Sequence, residues 1–402
     1  MLTFDEALAR VLDGAVRLGA EQVPAFDAEG RVLAGDLTAA ADAPAFDRST
    51  MDGYAVRSED LATAPVTLPV VGESAAGGRW PDALVPGTAM RIFTGAPIPD
   101  GADAVVMQEN VVRDGASASF DAAVRAGTSV HRRGSDLAEG AVALAAGTRL
   151  TAFHAALLAG LERPFISVAR RPVVAIVATG DELRDSCTAP TPGTVVNVNA
   201  PALAAVVRRC GGVPRVLPAV ADDLAVARAA LRDALAGADL VLTIGGVSVG
   251  DHDVVRDALA AEGVTLDFWR VAIKPGKPLC FGTAPSGARV LGLPGNPSSA
   301  LLTFVLFGAP LLRALQGDAR PVPARTHGVL AQELRRAPGR LEFLRVRTAA
   351  AEGPLPEVHP LGNQQSGAFT SFAWCDALAE LPADVAHLPG GTVLRLIRLG
   401  DV

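Results

Sequence analysis

The sequence predicts a multidomain protein of the α/β plus β class, with a parallel α/β sheet domain and two β-rich parts. A chain of 402 residues exceeds what one hydrophobic core usually supports, so two to four domains are expected. From Pro172 onward, strand patterns alternate with helix patterns, which is typical of βαβ units. Residues rich in Gly, Pro and β-branched side chains come before this region, and proline-separated short strands follow Asp318. These two patterns predict an inserted β domain and a small C-terminal β-barrel or sandwich.

The first sixteen residues predict an amphipathic helix that docks on the rest of the protein. One helical stripe carries the apolar residues Leu2, Leu8, Leu12 and Val16. Asp5 and Glu6 distinguish this segment from the basic start of a signal peptide. Short mixed segments at 21–40 and 140–161 then flank the β-rich insertion.

The α/β region is predicted from its alternating elements. In chain order these are strand 173–178, helix 199–210, strand 213–218, helix 221–236, strand 240–244, helix 253–261, strand 289–293 and a last helix. Ligands of open sheets bind beyond the carboxyl ends of the strands, so the turns at those ends are expected to share one edge. The strands predicted after Asp318 lie within 340–348, 356–361, 376–381 and 392–399.

Charge and cysteine usage exclude several classes of protein. The net charge of −7 argues against general affinity for nucleic acid. The four cysteines form no CxxC pair, which excludes a zinc knuckle and favours a reducing, cytoplasmic compartment. The longest apolar run, 300–312, contains Gly308 and Pro310 and is shorter than the roughly 20 residues of a membrane span. No transmembrane segment is therefore predicted.

The first of three glycine-rich turns follows the strand 240–244. Gly245 and Gly246 tolerate positive φ, which allows successive backbone N–H groups to point at one anion. Asp251 and Asp253 follow, and their carboxylates are hard ligands for a divalent cation. A capping role for Asp253 at the next helix is compatible with metal binding.

The second and third turns supply cations and a helix start. Lys274 and Lys277 flank a Pro-Gly corner, where two cations can neutralise a tetrahedral oxyanion; ordinary surface lysines are the alternative. Asn296 and Pro297 predict a helix N-cap and first helical residue. Together the three turns predict a metal-assisted site for a polyanionic ligand.

Further polar stretches lie upstream. Asp52 sits in a Ser/Gly turn, where an Asx-turn is the usual interpretation. Asp136 follows a run of basic residues that most simply forms a solvated face. Asp181 and Glu182 come directly after the buried strand 173–178, and this position favours a functional role for them.

The order of these stretches carries a family resemblance. The chain contains, in order, MDGYAVR, TGAPIPDGADAVVMQE, RRGSD, ATGDEL, GGVSVGDHD, IKPGKP and GLPGNPSSA. Seven ordered motifs over most of the chain resemble the molybdopterin molybdenumtransferase family, the bacterial MoeA proteins and the C-terminal domain of gephyrin. Arg270 stands where relatives often have Lys, and a planar guanidinium would alter contacts there.

The resemblance implies a four-part homodimer. Its parts would be an α/β domain (1–20 and 169–318), a linking domain (21–40 and 141–168), an inserted β domain (41–140) and a C-terminal β-barrel (319–402). The active site would lie in a cleft that elements of the partner subunit complete. Asp52, Thr94 and Asp136 match the family positions that would reach the site across the dimer.

The implied reaction is magnesium-dependent. Adenylylated molybdopterin would be hydrolysed to release AMP, and molybdate would be inserted to give molybdenum cofactor. The catalytic residues would be Asp253, Glu182, Asp52 and Lys274, and the Mg²⁺ ligands Asp253 and Glu182, with Asp223 and Asp251 as further candidates. The resemblance implies a molybdate pocket of Ser248, Lys274, Lys277, Arg345 and Ser366, with Pro294 and Pro297 shaping the third turn.

Competing interpretations remain for the residues and for the activity. Ser248 is equally suited to satisfying its own turn, and Arg345 shares its strand with Arg340 and Arg347, which fits a solvated basic face. Two other functions are an adenylyltransferase that activates molybdopterin with ATP and a non-enzymatic scaffold like part of gephyrin. The expected partners are adenylylated molybdopterin, molybdate, a second subunit and the adenylyltransferase that supplies the substrate. Neither nucleic acid nor a membrane is expected.

Overall fold

The computed structural model of the chain describes residues 1–246 and 254–402. The first helix and the flanking segments come first in the chain. Their elements are α1 Phe4–Leu12, β1 Ala20–Pro24, β2 Leu37–Thr38 and, after the insertion, β11 Val142–Leu144, α2 His154–Gly160 and β12 Phe165–Ala169. β1 pairs with β12, and β2 with β11, both antiparallel. The two predicted halves of the linking domain therefore pair with each other, while the exact boundaries stay predictions.

The docked N-terminal helix is confirmed, but the predicted apolar stripe is wrong in part. α1 begins with a capping box between Thr3 and Glu6 and ends at Leu12. Its buried residues are Phe4, Ala7 and Val11, whereas Val16 lies beyond the helix and is 75% exposed. The ring of Phe4 makes an edge contact with Phe307 at 5.4 Å between centroids, which fixes α1 on the core.

The insertion is a curled β-sheet. Its strands are β3 Arg48–Ser49, β4 Gly53–Val56, β5 Val66–Ser74, β6 Ala89–Ile92, β7 Ala104–Met107, β8 Val111–Asp114, β9 Ser117–Phe120 and β10 Val130–His131. Six of them form one sheet in the order β7-β4-β6-β5-β9-β8. Two apolar clusters, around Phe120 and around Ile92, form its core.

The α/β region has a mixed sheet. Its elements are β13 Val173–Ala178, β14 Leu183–Arg184, β15 Val195–Val196, α3 Asn199–Arg209, β16 Val213–Val216, α4 Leu224–Leu235, β17 Leu240–Ile244, α5 Val254–Ala261, β18 Thr265–Arg270, β19 Ile273–Lys274, β20 Pro278–Thr283, β21 Arg289–Leu293, α6 Pro297–Thr303 and α7 Ala309–Leu315. The sheet order is β16-β13-β17-β21-β20-β18. β16, β13, β17 and β21 are parallel, as predicted, and the hairpin β18–β20 adds two antiparallel strands.

The helix after β21 differs from the prediction of an interrupted apolar run. α6, a π-helical turn over Phe304–Gly308 and α7 form one continuous helix, Pro297–Leu315. The π-helical turn accommodates Pro310, which has no N–H to donate. This helix is long and apolar enough to cross a membrane, but 83% of it is buried inside the protein. It is a core helix.

The C-terminal part is a closed five-stranded barrel, as the family resemblance implied. Its strands are β22 Arg325–Leu330, β23 Leu334–Arg335, β24 Leu341–Ala349, β25 Glu357–Pro360, β26 Ala377–Leu381, β27 His387–Leu388 and β28 Val393–Arg398. The order β24-β25-β22-β28-β26 closes through a β24–β26 pairing. β19 of the α/β region joins this barrel by pairing parallel to β24, which sets Lys274 opposite Glu342.

Candidate active site

The turns after β13, β17 and β21 surround one cavity of about 540 Å³, named here the strand-end cavity. Its wall includes Thr179, Gly180 and Glu182 from the first turn, Gly245–Gly246 from the second and Pro294–Pro297 from the third. Because parallel strands end at the same edge of a sheet, residues far apart in the chain meet here. The expectation that these turns share one edge is confirmed.

The two glycines after β17 have the backbone conformation that the sequence predicts. Gly245 has φ +86° and Gly246 has φ +60°. A Cβ on Gly245 would lie 2.8 Å from the carbonyl oxygen of Thr179, and one on Gly246 would overlap Val255. Side chains are therefore excluded at both positions, and the backbone itself forms this part of the wall.

Carboxylates line one side of the strand-end cavity. Glu182 and Asp222 are lining residues, and Asp181 Oδ1 accepts a hydrogen bond of 3.1 Å from the Asp222 N–H. Burial, together with the negative charges of Asp181 and Glu182, raises the pKa of Asp222 above its ordinary value. Oxygen ligands of this kind suit Mg²⁺ chemically.

Asp223, a predicted candidate ligand of Mg²⁺, caps a helix, and its binding of a metal ion stays a prediction. Asp223 is the N-cap of α4, and its side chain accepts a hydrogen bond of 2.9 Å from the N–H of Val226. Asp222, one residue earlier, lines the cavity instead. Because α4 begins at Leu224, Asp223 is its N-cap and Asp222 precedes the cap. The sequence alone does not predict the first residue of a helix to within one position.

Replacing Asp222 with asparagine is expected to raise the melting temperature at pH 7. When folding raises the pKa of a carboxyl, the ionised form of that carboxyl destabilises the folded state. This destabilisation is present above the raised pKa and is absent at acid pH, where the carboxyl is protonated. The difference between the variant and the parent should therefore disappear as the pH falls through the carboxyl range. Thermal melts from pH 7 to pH 3 measure this, and a difference independent of pH would contradict it.

A second cavity of about 590 Å³ adjoins the first and is named here the lysine cavity. Lys274 and Lys277 both line it, and both remain exposed to solvent, so their role in binding an oxyanion stays a prediction. Pro278, Pro294 and Asn296 line both cavities, which makes them a shared wall. The charged lining residues are three cations, Lys274, Lys277 and Arg340, and one carboxylate, Glu342.

The third turn connects the helix to the barrel. Asn296 is the N-cap of α6 and Pro297 the first helical residue, as predicted, but the Asn296 side chain does not cap the helix. Its Nδ2 donates a hydrogen bond of 3.1 Å to Ser366 Oγ, and the Ser366 carbonyl accepts one of 2.9 Å from the Ser298 N–H. Ser366 thereby lies at the rim of the lysine cavity.

Arg345 lies beneath this rim. It is fully buried at 0% exposure, which excludes the solvated basic face for this residue. Its Nη2 donates to the carbonyls of Asn363 and Gln365 at 3.3 and 3.2 Å, while Nε and Nη1 have no partner among the described residues. Burial lowers the pKa of Arg345, with Cys375 and Glu342 opposing that shift. Arg345 does not line the lysine cavity but donates hydrogen bonds to the loop that forms its rim. Its contact with an oxyanion therefore stays a prediction.

Glu342 and Arg336 are the residues that sequence reasoning missed. Lys274 Nζ forms an ion pair of 2.9 Å with Glu342 Oε1, and Arg336 Nε lies 3.0 Å from Glu342 Oε2. A glutamate inside the mostly apolar strand segment LEFLRV was the available signal, since buried charges require partners. Lys274 could not be predicted as a partner, because it belongs to β19, nearly seventy residues earlier.

The predicted residues of the insertion lie away from both cavities in this chain. Asp52 Oδ1 accepts hydrogen bonds of 2.8 Å from the N–H and the hydroxyl of Thr94, and these lower the pKa of Asp52. Asp136 Oδ1 lies 3.1 Å from His131 Nε2. None of the three lines either cavity. Their contribution across a dimer stays a prediction.

Three further candidates, Ser248, Asp251 and Asp253, lie outside the described residues. Within residues 1–246 and 254–402, no group of three or more His, Cys, Asp or Glu side chains is arranged to hold a metal ion. Among the described residues, Glu182 and Asp222 are the carboxylates that line the strand-end cavity, and one or two carboxylates are enough for an ion such as Mg²⁺ that keeps several waters.

Comparisons with known proteins cover the chain in three segments. Residues 2–161 match the MoeA N-terminal region (domain I and II), residues 175–314 a probable molybdopterin binding domain, and residues 327–399 the MoeA C-terminal region (domain IV). These matches follow the same order as the insertion, the α/β region and the barrel.

Relatives and solved structures agree over nearly full length. The molybdopterin molybdenumtransferase of Nostoc sp. is 37% identical over 94% of this chain and 88% of its own length. That of Haemophilus influenzae is 34% identical over 98% of both. The molybdopterin biosynthesis moeA protein from Pyrococcus horikoshii has a TM-score of 0.84 at 30% identity and covers 98% of this chain and 99% of its own. The chain therefore belongs to the molybdopterin molybdenumtransferase family and is a transferase of molybdenum cofactor biosynthesis.

Proposed function

We propose that the protein hydrolyses adenylylated molybdopterin to release AMP and inserts molybdate into the pterin dithiolene in a magnesium-dependent reaction. The observation that carries this proposal is the pair of adjoining cavities, one lined by carboxylates and the other by lysines. The lining side chains of the lysine cavity carry two more positive than negative charges, which balances a tetrahedral dianion. The shared wall would bring the two substrates together.

The strand-end cavity would take the pterin and its nucleotide phosphates. Gly245 and Gly246 expose backbone where a phosphate can approach. Glu182 and Asp222, with Asp253 and Asp251 from the neighbouring turn, would hold Mg²⁺, which supplies charge neutralisation on the phosphates. The carboxylates of this wall would also orient the attacking oxygen of water or molybdate.

The lysine cavity would take molybdate. Lys274 and Lys277 provide ammonium groups, and Ser366 a hydroxyl, for charge-assisted and neutral hydrogen bonds. Ser248 would contribute from the turn after β17, and Arg345 from beneath the rim. Pro294 and Pro297 shape the boundary between the two cavities.

We also propose a cytoplasmic homodimer. Asp52, Thr94 and Asp136 belong to the same insertion and lie outside the cavities of their own chain. A second subunit would bring them to a site, where the hydrogen bonds from Thr94 keep Asp52 ionised.

One assay separates the candidate activities. Purified protein is incubated with adenylylated molybdopterin and Mg²⁺, with molybdate or tungstate, and AMP and metal-loaded pterin are measured. We expect both products, and loss of both after chelation of Mg²⁺. ATP consumption with free molybdopterin would identify an adenylyltransferase instead, and no nucleotide turnover at all would favour a scaffold.

Replacing Lys274 with alanine is expected to weaken the use of molybdate more than the binding of the pterin. A charge-assisted hydrogen bond to the oxyanion is worth about 1.5–3 kcal/mol, so the KM for molybdate should rise by roughly ten- to a hundredfold. Steady-state kinetics with each substrate varied in turn measure the effect. Equal losses for molybdate and pterin would contradict the division between the two cavities.

A further inference from the structure

The ammonium group of Lys274 is held by a carboxylate that lies inside the barrel. The Lys274 side chain is 48% exposed, whereas that of Glu342, its partner at 2.9 Å, is only 8% exposed. The pairing of β19 with β24 sets the two residues opposite each other. A flexible, half-exposed side chain is thus tied to a rigid, buried one.

Arg336 forms a second ion pair with Glu342. Its side chain is 6% exposed and lies 3.0 Å from Glu342 Oε2. The Arg336 guanidinium donates hydrogen bonds of 2.9 Å to the carbonyls of Pro382 and Arg340, which belong to the barrel backbone. Arg336 therefore has a fixed position and gives the carboxylate a balancing charge, while Glu342 Oε2 accepts no hydrogen bond from the described residues.

We propose that Glu342 is a positioning residue, which holds the Lys274 ammonium towards the lysine cavity so that it is preorganised for the oxyanion. A lysine side chain loses rotamer entropy when it is fixed, and the ion pair with Glu342 would impose that loss before the ligand binds. An ammonium has three donors, so one bond to Glu342 leaves two for an oxyanion. This inference rests on the proposed molybdate site.

A purely electrostatic role for Glu342 predicts the opposite result. A carboxylate near a dianion site repels the ligand, so its removal would tighten binding. Positioning predicts weaker binding after the same change. The sign of the effect therefore decides between the two roles.

The test is the affinity for molybdate of the full-length Glu342→Gln variant, measured by titration calorimetry. We expect the Kd for molybdate to rise about tenfold, which corresponds to the loss of most of the preorganisation, while the KM for adenylylated molybdopterin changes by less than about twofold. Glu342→Asp keeps the charge but shortens the side chain, and it should weaken molybdate binding too. Unchanged or tighter molybdate binding in both variants overturns the proposal.

Two controls separate positioning from general damage. Glu380→Gln changes a glutamate that is 5% exposed, pairs with Arg325 and Arg395 in the same barrel and lies outside the lysine cavity, so its molybdate affinity should be unchanged. The double variant Glu342→Gln/Lys274→Ala should bind molybdate no more weakly than Lys274→Ala alone. Additive losses would show that Glu342 acts without Lys274. Turnover by the unmodified protein is measured separately, because its absence would refute the proposed reaction. Calorimetry with molybdate would still test the role of Glu342 in that case.

Discussion

Replacing Glu182 with glutamine is expected to reduce kcat for AMP release by on the order of 100- to 1,000-fold, with little change in stability. Glu182 lines the strand-end cavity, and its carboxylate makes no hydrogen bond or ion pair with any residue within 1–246 and 254–402. Its removal therefore costs the fold little, and a surface change of this kind usually stays within about 0.5 kcal/mol. Glutamine keeps the shape of the side chain but lacks the negative charge that would hold Mg²⁺, the counter-ion of the substrate phosphates.

Single-turnover measurements of AMP release at saturating substrate report this effect, with thermal melts to check folding. Glu352→Gln, an exposed change in a loop of the barrel region, is the matched control and should leave kcat unchanged. If Glu182 and Asp253 act on the same ion, Glu182→Gln/Asp253→Ala should be scarcely slower than the slower single variant. A kcat within twofold of the parent would remove Glu182 from the mechanism.

Local patterns predicted most of the fold because they are encoded by neighbouring residues. The strand Leu240–Ile244 begins and ends where the apolar run predicts, and Gly245 and Gly246 adopt the positive φ for which their lack of a side chain suits them. The helix predicted over 221–236 is Leu224–Leu235. Short loops and strong periodicity leave few alternatives for such elements.

Non-local pairings were beyond the reach of the sequence. The parallel pairing of β19 with β24 joins the lysine turn to the barrel, and no periodic pattern marks a two-residue strand. The contact between Lys274 and Glu342 follows from that pairing. Asp222 was not predicted for a different reason, because its place beside the cavity depends on the residue at which α4 begins.

The second large effect is expected from replacing Arg345, because this side chain is a buried charge with few interactions that offset its desolvation. It is 0% exposed, its ion-pair partners are absent among the described residues, and its two hydrogen bonds are long at 3.2 and 3.3 Å. A desolvated guanidinium remains charged at neutral pH and costs stability. Destabilising residues of this kind are retained at functional sites. We therefore expect Arg345 to lower the stability of the fold and to contribute to anion binding.

Replacing Arg345 with methionine is therefore expected to raise the free energy of unfolding by about 1–2 kcal/mol while it weakens molybdate binding about a hundredfold. The carbonyls of Asn363 and Gln365 belong to exposed residues, so water can replace the lost donors. Arg347→Met, on the exposed side of the same strand, is the control and should change neither quantity appreciably. Denaturant titration and calorimetry with molybdate measure the two effects. A less stable variant with unchanged molybdate affinity would make Arg345 a purely structural support of the rim, because the buried charge would then contribute to the fold rather than to the ligand.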